Sequence, residues 1–224
     1  MPGSVFSSAT VLVASVSVMV AGLAAAGGEL APYFTAGASP EQRINALASY
    51  SYHPGASTAS KSLLLDDCHT IANSVLGMAQ STERRQALVT ACVDYASAFV
   101  ADSPVNAHGW LVLAEMAADL GNADALNHGL RQSRLTAPVS ASLAEDRLQV
   151  LRKHLDLIDD DNRDGIGEDV LTLMRGDAGV RTLARLYDDA PALREPIAQV
   201  VETLDADRQR RFLQAYARTG RTAR

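Results

Sequence analysis

Aromatic side chains are scarce in this 224-residue sequence: one Trp, six Tyr and four Phe make up 5% of it. Strands favour β-branched and aromatic residues, so a sheet core is poorly provided for. The abundant Ala, Leu and Val suit close-packed helices instead. Cysteine is limited to Cys68 and Cys92, which excludes a disulfide-dense scaffold. Lysine is nearly missing, with Lys61 and Lys153 alone among Arg residues. A basic surplus is missing as well: the formal net charge is -6, opposite to what a nucleic-acid binder normally carries. No GxSxG, HExxH, GxGxxG or GxxxxGK[ST] signature occurs, so none of the chemistries built on those turns is indicated. No run alternates with period two long enough to predict a strand. The expectation is an all-α chain.

Charge is also missing locally. Nothing charged stands from Ala9 to Gly28, and no Lys or Arg precedes Arg43. This apolar stretch approaches the ~20 residues that cross a bilayer. Ala24–Ala26 forms the small-x-small pattern a signal peptidase accepts. Residues 1–28 are therefore expected to be a signal peptide or a transmembrane anchor. Without flanking basic residues the orientation of an anchor is open, including one that faces the cytosol. Residues 29–59, rich in Gly, Pro, Ser and Tyr, read as a tether, with a short helix opened by Ser39 and Pro40. Tyr50, Tyr52 and His53 in this tether either form a contact patch or pack loosely on the first helical pair.

The remainder, 60–224, reads as one helical domain. The segment from Lys61 to Gln80 is expected to form one helix and that from Glu83 to Asp102 a second, with Ser81 at the turn. Cys68 and Cys92 lie about equally far from the turn centre near residue 80. In an antiparallel hairpin that equality places two residues at one height, within reach of a disulfide. The bond would close a loop of about 25 residues, worth ~3 kcal/mol by chain entropy, and belongs to an oxidising compartment. A metal site of Cys68, His69 and Cys92 lacks both a fourth ligand and CxxC spacing.

After Pro138, Ser140 or Ser142 can cap a helix through Ile158, and Ser142 with Glu145 has capping-box spacing. The run Asp160-x-Asn162-x-Asp164-Gly165 copies the first half of a calcium loop. Its second half fails, with Gly167 and Leu171 where an aliphatic residue and a bidentate Glu belong. A calcium-responsive module is thus one alternative, and a solvated turn is the other. Helices are expected over about 166–175, 178–189, 191–204 and 206–218, the last capped by Asp205. The last twenty residues carry six Arg against two Asp, leaving the rest strongly acidic. Phe212, Leu213 and Tyr216 add an apolar stripe there. Such an end either packs with its Arg residues in water or meets anionic lipid or an acidic polymer.

Pro104 and Pro138 are 34 residues apart, the period of tetratricopeptide repeats. Counted from Ala107, Trp110, Leu113, Ala114, Ala117, Gly121, Leu130 and Pro138 fall where that family has its large, small, turn and terminal residues. Residues 107–140 thus resemble a tetratricopeptide repeat. Leu126 departs from the usual Ala at position 20, beside Ala125. The preceding 73–106 resembles a degenerate unit that caps the repeat. The resemblance implies antiparallel helical hairpins in a right-handed superhelix, with His108, Leu111, Glu115, Ala118 and Asp119 lining a concave partner-binding groove. Asn106-x-x-x-Trp110, the hydrophobic N-terminus and an ALREPI…RRFL tail are similar in layout to membrane-tethered or periplasmic repeat proteins of bacterial envelope polysaccharide gene clusters. The expected function is a non-catalytic scaffold for protein partners in the cell envelope, assisting polysaccharide synthesis or export, without cofactor or nucleic acid. It would be periplasmic, held at the inner membrane or released after cleavage. Glu115 and Asp119, one helical turn apart, together with His108, leave an enzyme acting on envelope glycans as the alternative from another class.

Overall fold

A computed structural model describes residues 3–222, with side chains over 9–34 and 37–219. Twelve α-helices and one 3₁₀ turn account for the regular structure of the described residues, and no strand occurs among them. Most helices begin where a short polar side chain can take up an orphan backbone N–H. Ser39 does so for Gln42 in a full capping box, Asn106 for Gly109, Asn122 for Ala125, Ser140 for Leu143 and Asp159 for Asn162.

The chain divides into two compact units, residues 1–91 and 92–224. The first holds α1 (Gly3–Ala36), α2 (Pro40–Ala48), α3 (Thr58–Ala72), α4 (Val75–Met78) and the opening half of α5 (Thr82–Asp102). Ala9–Phe34 of α1 has a mean hydropathy of 2.1, and its side chains are exposed up to Gly27. The end of the same helix is packed. Ser57 donates to the Glu29 carboxylate from its backbone N–H (2.8 Å) and from its hydroxyl. The Tyr52 hydroxyl donates to the Pro32 carbonyl at 3.4 Å. Burial pushes that phenol up from its usual pKa. Ile44, Leu47, Tyr52, Leu64, Leu65, Cys68 and Ile71 are buried within this unit, and Arg43 is ion-paired with Asp67.

The stretch expected to be a tether is therefore partly structured. Residues 29–36 prolong α1, and Tyr52 is a core residue rather than a loose contact. The expected boundary near 60 does not coincide with the division of the chain, which falls inside α5. The helix expected from Lys61 to Gln80 breaks at Asn73 and Ser74. There Ser74 caps the one-turn α4, and Arg85 Nη1 donates to the freed Ala72 carbonyl at 2.9 Å.

The second unit continues through α6 (Ala107–Asp119), α7 (Ala123–Thr136), α8 (Ala141–Lys153), α9 (Asp160–Leu173), α10 (Asp177–Asp189), α11 (Pro191–Glu202) and α12 (Ala206–Thr222). Helices α6 and α8 start at Ala107 and Ala141, so the 34-residue spacing of the prolines recurs in the helices. Gly121 ends the first of them as expected. Its φ of +75° is one that side chains disfavour, and it lets Asn122 N–H reach the Ala117 carbonyl at 2.9 Å. A single core joins α6 to α12 through Leu111, Leu130, Leu148, Leu183, Leu193 and Phe212, among others. Tyr187 supplies edge-on ring contacts to Phe212 and Tyr216.

Candidate functional site

Helices α6 and α7 approach closely because two side chains are small. A Cβ at Gly129 would lie 2.8 Å from the Trp110 carbonyl oxygen and 2.9 Å from the Ala114 Cβ. Ala114 is fully buried, and Trp110 is half-buried. The indole N–H of Trp110 donates to the Pro104 carbonyl at 2.7 Å, and its ring meets His128 edge-on. Pro104 thus serves as an acceptor, and so does Pro138, whose carbonyl accepts from Thr172 Oγ1 at 3.2 Å.

The expected groove is closed. Leu111, Glu115 and Ala118 are buried, because the end of α8 packs over that face of α6. Lys153 Nζ donates to Glu115 Oε1 at 3.0 Å, and His154 Nε2 stands 3.3 Å from Asp119 Oδ1. His108 is half-buried. Glu115 and Asp119, expected to face a partner, face the end of α8 instead. Glu115 and Asp119 are each committed to a basic neighbour, which leaves no open pair of carboxylates for acid and base roles.

The expected calcium loop is the first two turns of α9. In a helix alternate residues diverge by about 200°, so Asp160, Asn162 and Asp164 cannot converge on one ion. Asp160 and Asp164 point to solvent, whereas Asn162 is fully buried. Its amide donates to the Asn127 carbonyl at 3.0 Å. The acidic run suits this position because carboxylates near a helix N-terminus meet the positive end of its dipole. Asp159 caps the helix. Burial alone would raise its pKa, but bonds from the Asn162 N–H (3.0 Å), from Arg131 Nη1 (2.6 Å) and from the Asn162 amide together hold it below the usual carboxylate range. Ser140 takes the cap of α8, so the Ser142–Glu145 box is not used. Among the described residues no group of His, Cys, Asp or Glu is placed to hold a metal ion. Cys68 and Cys92 are disulfide-bonded.

The densest charged site was not foreseen as one. Arg147 of α8 is wholly buried. Its Nε and Nη2 donate to Asp169 Oδ1 of α9 at 2.9 and 2.5 Å, and its Nη1 reaches the Ser133 hydroxyl at 3.3 Å. Arg134 of α7 donates to Asp169 Oδ2 at 3.2 Å and to Asn162 Oδ1 at 3.3 Å. Its guanidinium crosses α9 at Gly165, where a Cβ would sit 2.3 Å from it. Glu168 Oε2 lies 3.8 Å from Arg134 Nε. One buried carboxylate thus serves two buried guanidiniums, and the second reaches out to a surface Glu. The sequence does carry a signal for this. Arg147 falls in the stripe Ala144, Arg147, Leu148, Leu151, and Asp169 falls in Ile166, Asp169, Val170, Leu173. These are opposite charges at core positions of consecutive helices.

The cluster opens onto a hollow of about 520 Å³ lined by Arg131, Arg134, Leu135, Asp161, Asp164 and Glu168, among others. Both charge signs are present in its lining. Compared with protein families, with curated proteins and with solved structures, the chain matches none.

Proposed function

We propose that this chain is a membrane-anchored, non-catalytic scaffold whose tetratricopeptide-like body binds protein partners in the bacterial cell envelope. The observation that carries the reading is the joint at the end of α1. The uncharged run Ala9–Gly28 is about 30 Å long at the helical rise, equal to the hydrocarbon core of a bilayer. The next residues are fixed to the first unit by Glu29–Ser57 and Pro32–Tyr52. A helix exposed over its apolar length and packed only at its end suits an anchor better than a core element. The disulfide favours an oxidising compartment. The repeat reading draws on the Ala107 and Ala141 helix starts, on the tight α6–α7 pair and on α6 packing against α8 as well as α7. The layout's similarity to proteins of envelope polysaccharide clusters makes polysaccharide synthesis or export the process served.

A fusion of alkaline phosphatase to the C-terminus tests placement. Active enzyme in a fraction that resists alkaline extraction supports the anchor. Activity only in the soluble periplasm, or none, overturns it. In-cell photo-crosslinking from surface positions of the second unit tests scaffolding: discrete protein adducts are expected. Their absence, with turnover of envelope glycans by the purified chain, would instead establish the enzyme reading.

A further inference from the structure

Helices α10 and α12 pack side by side and leave a hollow of about 350 Å³ between them. Arg181, Arg185 and Arg218 stand around it, over small residues that include Ala178, Thr182 and Ala215. It continues into a second hollow of about 250 Å³, where Arg211 joins the lining with Asp177 and Val180. Arg181 and Arg185 are one turn apart on α10, and Arg211 and Arg218 are two turns apart on α12. Arg181 has no hydrogen bond or ion pair with a described residue, and Arg185 Nη2 is bonded to the Thr182 hydroxyl at 3.1 Å. Arg211 is 3.3 Å from Asp177 Oδ1. Glu145 and Asp189 line the neighbouring hollow with Arg152 and Arg185. Arg181, Arg185, Arg211 and Arg218 line a cleft whose own lining holds one carboxylate, in a chain whose net charge is -6.

We infer that this cleft binds an acidic peptide segment of a partner protein, an inference that rests on the partner-binding reading above. The cations extend about 6 Å along α10 and about 10 Å along α12, the rises of four and seven helical residues. That spread matches carboxylates along an extended chain rather than a single anion. Arg presents a fork that carboxylates accept in pairs. The floor of Ala178, Val180 and Ala215 takes small apolar side chains between the acidic ones. A flat bilayer surface does not reach into a concave floor, and the lining holds no aromatic ring on which a sugar would stack.

The test uses the full chain in detergent and a short fluorescein-labelled peptide of alternating Glu and Ala, followed by anisotropy. Binding that weakens with added salt is expected, together with a loss of about ten-fold or more in affinity for R181E/R185E. A Lys/Ala peptide should bind that variant in place of the acidic one, which separates charge readout from misfolding. An affinity unchanged by R181E/R185E, or no binding of the Glu/Ala peptide, overturns the inference. So does preferential binding, through the same arginines, of polyuronate or of phosphatidylglycerol vesicles. Protein adducts that persist in cells while the peptide fails to bind would remove this cleft assignment and leave the scaffold reading standing. Loss of all protein adducts removes the scaffold reading itself.

Discussion

The helix pairs α6–α7 and α8–α9 are held together by opposite means. The first is fastened by what is missing: Gly129 and Ala114 let backbone approach backbone, and the contact is apolar. The second is fastened by charge, with Arg147 and Asp169 taken wholly out of water and Arg134 brought in from α7. The difference teaches how a chain poor in aromatic rings closes a core. Where two helices can touch, small residues suffice. Between α8 and α9, beside the shared apolar core, the long Arg147 side chain also fills the interface, and its charge then demands a partner. A buried pair of this kind adds little net stability over apolar residues of equal volume, yet it is costly to break. It also fixes which helices pair, since an unmatched guanidinium tolerates no other neighbour.

The comparison yields three ordered expectations. Asp169→Asn should be the most damaging change, at about 3–5 kcal/mol in denaturant unfolding, because it strands two buried guanidiniums against a neutral amide. A cost under ~1 kcal/mol would erase the distinction between the two pairs. Gly129→Ala should cost about 1–2 kcal/mol. The forced separation of α6 and α7 outweighs the helix propensity gained, which is ~1 kcal/mol. If the variant is stabilised, the close approach is not what fastens that pair. Asp159→Asn should cost least, ~1 kcal/mol, since Asn can still cap α9 but no longer pairs with Arg131. This last effect depends on pH. The Asp159 pKa is lowered on folding, so its contribution is complete above about pH 4 and fades as acid protonates it through the folded value. The gap between native protein and variant should therefore narrow as the pH falls below the ordinary Asp pKa. A gap that widens in acid would contradict the hydrogen bonding described for the cap.

Much of the fold was legible from the sequence. The caps at Ser39 and Asp205, the turns at Ser81 and Gly121 and the lack of alternating runs predict α2 and most helices from α5 onward. Three features were not legible, each for a physical reason. Pro32 lies in the stretch read as a tether, but α1 runs through it, and its end is fixed by contacts with residues 20 and 28 positions away. The Asp159–Gly165 run satisfies both a turn and a helix start, and only the bonds of Asn162 to Asn127 decide between them. The groove positions on α6 were assigned as if no helix covered them. Lys153 at the end of α8 pairs with Glu115 and His154 stands against Asp119 across that face, which no pattern within residues 107–140 encodes. The buried cluster was legible only in principle, because a charged residue at a core position reads as noise until its opposite appears at the matching position of the next helix.

The most direct test of the account is thiol alkylation of the full chain, taken from membranes and denatured without reductant. Cys68 and Cys92 are disulfide-bonded, as the proposed oxidising compartment requires. The account predicts that a maleimide-polymer reagent labels neither cysteine until reductant is added, and then labels both. Labelling of both cysteines before reduction would contradict it.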